Sequence, residues 1–303
     1  MQRLLLALAL ALAAPACLAW NAAGHRIAAA VAWQQLSPAA RSAVAALLAA
    51  HPDYRRWTDA GHDDSAYGAF LEASTWPDDI RRDPRFHDDD EPPPPPLPGF
   101  PDRSRHKRWH FVDSDAAGHR REGELDRQID RLARVLADPH ASMAERSYAL
   151  PWLVHLVADG HQPLHVGVHD DEGGNRVDID DPFNPRLPLT TLHTWWDDLP
   201  GPPWLRGKRL DQVVGALLAR HPAPAQDDPA AWLQESRELA WEAVYPPAGG
   251  GQRPVIDENF RAAGRVLANR RLVEAGYRLG RLLDGLLAGV PRGTDRPASN
   301  PGK

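Results

Sequence analysis

The sequence predicts a mainly α-helical protein folded as a single domain. Three observations carry this. Capped runs of apolar residues recur at helical spacing through most of the chain. Alternating, strand-like patterns are sparse. Two His-x-x-x-Asp pairs have the spacing that places both side chains on one helix face.

Taken in order, residues 1–19 begin Met1-Gln2-Arg3, continue as a Leu/Ala stretch and end Ala16-Cys17-Leu18-Ala19. A basic start, an apolar run too short for a bilayer and small residues at 17 and 19 predict an export leader cut before Trp20. The product is then periplasmic or secreted. A lipid anchor at Cys17 is the weaker alternative, because the preceding Ala14-Pro15-Ala16 lacks the usual Leu. Cys17 is the only cysteine, so stability is expected from the core, from bound metal or from both.

Ser37 before Pro38 caps a helix that runs to Ala50. Residues 88–101, with Pro92 to Pro96 in a row, read as an exposed polyproline loop. Leu125, Ile129, Leu132 and Leu136 predict a helix over 123–137. Ser142-Met143-Ala144-Glu145 is a capping-box pattern opening the helix expected to carry His155 and Asp159, with Pro151 kinking it or marking its true start. Arg176 to Asp180 alternates as a strand. Further helices are expected at about 209–220, 229–245 and 259–288. One domain over 20–290 and a disordered tail over 291–303 follow.

Formal charge is −6, and −7 once Arg3 leaves with the leader. That sign argues against a protein that grips duplex DNA through its phosphates. It is compatible with an enzyme whose metal ions supply positive charge locally. After the leader no apolar run is long enough to cross a bilayer, so no membrane insertion is expected.

The densest chemistry lies between His155 and His165, where His155, Asp159, His161 and His165 fall within eleven positions. His193 and Asp197 repeat the His-x-x-x-Asp spacing. Read singly, His155 and Asp159 could be a surface pair worth tenths of a kcal/mol. Leu153, Leu156 and Val157 instead make that helix a buried one, and buried charge needs a partner. At Trp20, a free α-amine and the neighbouring carbonyl can chelate a metal, with His25 adding a nitrogen. Nitrogen and oxygen donors without thiolates suit zinc.

The ordered series Trp20 to His25, Trp76-Pro77-Asp78, Trp109-His110-Phe111-Val112-Asp113, His155 to His165, Asp171 to Asn175 and His193 to Asp197 resembles the zinc-dependent single-strand nucleases, the nuclease S-one/P-one family known from fungi, plants and bacteria. The resemblance extends to Glu235-Ser236 and Val244-Tyr245-Pro246. It implies the helical fold shared by zinc phospholipase C and the single-strand nucleases, with three zinc ions per chain. Asp78, His110, His155 and Asp159 would hold one ion, and Asp159 would bridge to a second held by Trp20 and His25. His165, His193 and Asp197 would hold the third, with His161 supporting the ligands from behind.

The implied catalytic pair is Arg81 and Asp113, beside a metal-activated hydroxide that attacks phosphorus in line. The implied base site is Phe111 as a stacking face, with Asp171 and Asn175 as hydrogen-bonding groups. Two positions depart from the family pattern: Glu172, where an apolar base-facing residue is expected, and Thr191, where Asn is usual. The implied substrates are single-stranded DNA or RNA, cut to 5′-phosphate products, and 3′-nucleotides, handled by a monomer.

Two rival functions stand beside this one. A zinc phospholipase C would carry Glu at the end of its last His-x-x-x motif and a longer gap from its leading Trp to the first His; Asp197 and the Trp20-to-His25 step favour the nuclease. A non-catalytic exported zinc-binding protein would need neither Arg81 nor Asp113. His51, His62, His87, His106, His119, His140, His169 and His221 match no ligand and read as surface or loop residues. Trp33, Trp57, Trp152, Trp195, Trp196, Trp232 and Trp241 read as core or helix-packing residues.

Overall fold

A computed structural model describes residues 20–59, 65–115, 117–225, 228–247 and 253–288. The expected leader, the expected tail and His62 lie outside these residues. Each predicted helix forms, several of them from a side-chain cap. Helix α1 (Ala22–Gln35) starts at Asn21, whose side chain accepts from the Ala23 and Gly24 amides. Helix α2 (Pro38–Ala50) starts at Ser37 with proline at its first position. Three short helices follow, α3 (Tyr54–Thr58), α4 (Ser65–Ala73) and α5 (Trp76–Asp79), the last running into a single 3-10 turn, Ile80–Arg82.

Helix α6 (Leu125–Ala137) buries Leu125, Ile129, Leu132 and Leu136 on one face. Helix α7 (Met143–Asp159) opens with the full reciprocal capping box of Ser142 and Glu145. Pro151 neither starts nor ends α7; the helix runs through it from Met143 to Asp159. Helices α8 (Leu192–Asp198), α9 (Gly207–Leu218), α10 (Pro229–Glu242) and α11 (Glu258–Leu287) complete the set. No helix among the described residues is long and apolar enough to cross a membrane.

Two small antiparallel ribbons sit among the helices. Strand β1 (Val112–Ser114) pairs with β2 (Arg120–Gly123), and β3 (Asp178–Asp180) pairs with β4 (Leu189–Thr191). The second contains the last three residues, Asp178 to Asp180, of the segment expected to alternate from Arg176. The first was not legible, because its strands are only three and four residues long.

The centre of the molecule is α7, buried from Ser147 to Asp159, with α1 and α11 packed against it and each other. Helix α1 could not be read from amphipathic spacing, because every residue from Ala23 to Ala32 is buried and no polar face exists. Its close approach to α11 depends on Gly276, where an added Cβ would lie 2.4 Å from Val31 Cβ.

Three side chains differ from their sequence reading. His51 is buried, stacked on Trp57 at 4.5 Å, and accepts from the Asp53 amide. His106 is largely buried and stacks on Trp109 at 3.5 Å, because its ring continues the aromatic layer above Trp152. Trp241 is 56% exposed, since its face of α10 points away from the core.

Candidate metal centre

The ends of α1, α5, α7 and α8 converge on one buried group of imidazoles and carboxylates. Helix α7 contributes His155 and Asp159 from adjacent turns of one face. Helix α8 contributes His193 and Asp197 in the same way, capped at Thr191, whose side chain accepts from the Thr194 amide. Thr191 therefore caps the helix that carries His193 and Asp197.

In the first cluster His110 Nδ1 lies 3.1 Å from Asp159 Oδ2 and 3.9 Å from Asp78 Oδ1. His155 Nε2 lies 3.3 Å and 3.9 Å from the same two oxygens. His25 Nε2 approaches the other oxygens, 3.5 Å from Asp159 Oδ1 and 4.0 Å from Asp78 Oδ2. Both carboxylates thus face two imidazole groups at once. The bridging geometry expected of Asp159 also describes Asp78, which the sequence reading confined to one ion.

The second cluster is His165, His193 and Asp197, with His193 Nε2 3.3 Å from Asp197 Oδ2. Backbone carbonyls decide the tautomers here. His165 Nδ1 donates to the His110 carbonyl at 2.6 Å, and His193 Nδ1 donates to the Gly173 carbonyl at 2.7 Å. In the neutral rings each Nε2 is therefore the acceptor nitrogen. These two atoms face each other at 3.2 Å. Two acceptors so placed repel unless a cation sits between or beside them. His155 repeats the pattern: its Nδ1 donates to the Ser74 carbonyl at 2.8 Å, and its Nε2 is aimed at His110 Nδ1, 3.0 Å away. Neither ring nitrogen of buried His25 makes a hydrogen bond.

Burial lowers the pKa of His25, His110, His155 and His165, and nearby positive charge, Arg81 included, adds to the effect. These imidazoles are neutral at ordinary pH, the form that binds metal. Burial pushes Asp78 up to about 6, opposed by Arg81, so the pocket penalises a carboxylate without counter-charge. Orphaned imidazoles, opposed lone pairs and buried carboxylates fit cationic metal ions in both clusters.

A family model described as S1/P1 nuclease matches residues 20–288. The chain belongs to the S1/P1 nuclease family. Among plant relatives it is similar to Endonuclease 4 of Arabidopsis thaliana, 27% identical over 161 residues, 48% of this chain and 52% of that protein. Endonuclease 3 of the same plant is 23% identical over 235 residues, 71% of this chain and 76% of that protein. Endonuclease 1 is 26% identical over 174 residues, 52% of this chain and 54% of that protein. The match to Endonuclease 4 thus covers about half of that protein. The expected helical fold, shared by the S1/P1 nucleases and zinc phospholipase C, is the one observed.

Around these two clusters the remaining predicted residues fall into place unevenly. Trp20 is fully buried. Its indole donates to the Ala158 carbonyl at 3.1 Å, one residue before Asp159. Arg81 pairs with Asp78, Nε to Oδ1, at 3.1 Å. Asp113 on β1 lies against Gly167, where an added Cβ would be 2.3 Å from its Oδ1, and burial raises it to about 6. Phe111 is half-buried beside Gly123.

Asp171 and Asn175 serve the Gly-Gly turn. Asp171 Oδ1 accepts from the Gly174 amide at 2.9 Å, and Asn175 Nδ2 donates to the Glu172 carbonyl at 2.8 Å. That turn matters to the metal centre. Gly173 has φ +59°, and an added Cβ would lie 2.4 Å from the Leu164 carbonyl; its own carbonyl fixes His193. Glu172 points outward to an exposed pair with Arg176.

His161 stands outside both clusters. Its Nδ1 donates to the Val157 carbonyl and its Nε2 accepts from Arg278 at 3.0 Å. Sequence reading named Glu235 and Ser236 within the resemblance but gave them no role, and it missed Arg271 and Arg278. Glu235 accepts from Arg271 and Arg278, Arg271 also reaches the His161 carbonyl, and Ser236 donates to the Gly160 carbonyl. This network fixes the turn between Asp159 and His165. Gln162 was also missed, although it lies in the quoted string: its Nε2 donates to Asp197 Oδ1 at 3.0 Å, joining the two ligand segments.

Proposed function

We propose that the protein is a zinc-dependent phosphodiesterase that cuts single-stranded DNA and RNA to 5′-phosphate products and also hydrolyses 3′-nucleotides. The observation that carries this is the approach of His165 Nε2 to His193 Nε2 at 3.2 Å, with each ring's Nδ1 engaged by a backbone carbonyl. It stands beside a second imidazole–carboxylate cluster in a chain of the S1/P1 nuclease family.

Asp78, His110, His155 and Asp159 would hold one ion. His25 with Asp78, Asp159 and the Trp20 amine and carbonyl would hold a second, and His165, His193 and Asp197 a third. When bound, the metal lowers the pKa of a water and offsets charge on the phosphate. The remaining chemistry belongs to the chain. Arg81, held by Asp78, meets the negative charge that develops on the phosphate oxygens. Asp113, ionised above about pH 6, accepts from the attacking water and orients it toward phosphorus. Phe111 stacks on an unpaired base, which accounts for a preference for single strands. Asp171 keeps lone pairs beyond its two internal bonds, and Asn175 keeps its amide oxygen, for the base edge.

The Trp20 amine exists only if residues 1–19 are removed, so we tie activity to export into the periplasm or beyond. The protein beginning at Trp20 is assayed for zinc by elemental analysis and for cleavage of single-stranded DNA, single-stranded RNA and phosphatidylcholine. About three zinc ions with nucleic-acid cleavage that a chelator abolishes is the expected result. Lipid cleavage alone would move the protein to the phospholipase branch, and zinc without any hydrolysis would leave a binding protein.

A further inference from the structure

The rim beside the Gly-Gly turn carries an aromatic ladder that the proposed reaction does not use. Trp241, at the end of α10, stacks on His169 with ring centroids 4.9 Å apart and planes inclined by 12°. His169 meets Tyr245 edge-on at 4.6 Å. The Tyr245 hydroxyl donates to Asp171 Oδ2 at 2.7 Å. Three contacts thus lead from the base-edge carboxylate to a tryptophan that is 56% exposed.

Exposing an indole costs free energy that burial would recover. Here the indole stacks on His169 while more than half of the residue's surface stays in solvent. Arg237 lies one turn earlier on the same face of α10, beside Gly118 in the connection between β1 and β2. It donates to Gln234 through Nη1 at 3.3 Å, and its Nε makes no hydrogen bond. Strand β1, which carries Asp113, is joined to the His169 segment by the Ser114 amide and the Gly167 carbonyl at 2.9 Å. Aromatic face, arginine and proposed reaction site therefore share one continuous rim.

We propose that Trp241, seated on His169, is a stacking platform for a second unpaired base of the bound strand, with Arg237 meeting its phosphate. The proposal rests on the nuclease reading and extends it from one base to a neighbouring one. Stacking is sequence-tolerant, because every base has a π face, and it requires that the base be unpaired. The occupant is a further nucleotide of the same strand, since the ladder ends at the carboxylate assigned to the first base.

The test compares the metal-loaded protein with Trp241→Ala, Trp241→Phe and Arg237→Gln on a thymidine tetranucleotide and on a 3′-mononucleotide. The expected result is that Trp241→Ala lowers the ratio of tetranucleotide to mononucleotide kcat/KM at least about fivefold, mainly through KM. Trp241→Phe restores most of the ratio, and Arg237→Gln weakens the salt dependence of tetranucleotide KM. An unchanged ratio in Trp241→Ala overturns the platform and leaves the nuclease reading standing. So does an equal loss on both substrates accompanied by a lower Tm, which would assign Trp241 to packing. A wild-type protein that hydrolyses neither substrate overturns both proposals.

Discussion

The indole N–H of Trp20 donates to the backbone carbonyl of Ala158 at 3.1 Å, across 138 positions of sequence. One residue later the Asn21 amide donates to the Asp197 carbonyl, also at 3.1 Å. The first described residues are therefore tied to the ends of α7 and α8, the two helices that carry His-x-x-x-Asp pairs. These two bonds hold the segment whose amine we propose as a metal ligand.

A protein that begins with one extra glycine before Trp20 keeps the indole bond and moves the amine. Zinc content is expected to fall by about one ion per chain and hydrolysis by more than about 10²-fold. Elemental analysis and single-strand cleavage on matched preparations decide it; full zinc content in the extended protein removes the amine from the ligand set.

Metal removal is expected to lower Tm as well as activity, because the proposed ligands come from α1, α5, α7 and α8 and bound ions would tie these helices together. Binding to the folded state alone stabilises by about 4 kcal/mol at a thousandfold excess over Kd. Calorimetry with and without chelator reads this, and unchanged melting after full depletion would show that the ions hold nothing in the fold.

His51 supplies a pH dependence. Burial lowers its pKa from 6.5 to about 4, so the folded state refuses a proton that the unfolded chain accepts. Its contribution is neutral above pH 6.5, and stability is lost as pH falls from 6.5 toward 4, at about 1.4 kcal/mol per pH unit and roughly 3 kcal/mol in all. In His51→Gln the amide oxygen still accepts from Asp53, and the slope from this residue disappears. Urea unfolding of the two proteins from pH 7 to 4.5 should give stability curves that converge or cross; parallel curves would contradict the assignment.

Arg81→Gln is expected to reduce kcat/KM by about 10²–10³-fold while zinc stays bound, since the guanidinium is assigned to the phosphate rather than to the metal. A variant with normal zinc content and normal hydrolysis would leave Arg81 a structural partner of Asp78.

Glu235→Ala removes a carboxylate shared by buried Arg271 and Arg278. Because Arg271 keeps Glu274, the loss is expected near the lower end for a broken buried pair, about 3 kcal/mol. The turn that carries His161 loosens with it, so zinc retention in a chelator competition should weaken in parallel. Lower stability with unaltered zinc affinity would separate the network from the metal centre.

Much of the architecture is written locally. The Ser142–Glu145 box, Ser37-Pro38 and the spacing from Leu125 to Leu136 each specify a helix through contacts within one or two turns, and those helices form where the local signals lie. The His-x-x-x-Asp pairs are equally local, because 3.6 residues per turn put both groups on one face whatever surrounds them. Helix α1 and the β1–β2 ribbon escaped for the opposite reason: one is buried on all sides and the other is too short to show a period.

What only the tertiary structure decided depends on groups that sequence keeps far apart. The Gly173 and His110 carbonyls choose the tautomers of His193 and His165, and so turn two ordinary histidines into opposed lone pairs. Asp78 reaches imidazoles on both sides of its cluster, and His51 and Trp241 exchange the burial that their residue types suggested. Sequence by itself determined the helical class, the family and which residue types could bind metal, because these rest on short-range periodicity and ordered motifs. Which ring nitrogen donates to the backbone, which carboxylate meets imidazoles on two sides and which ring faces solvent were left to packing, because hydrogen bonding and desolvation act through space between residues the chain separates by tens of positions.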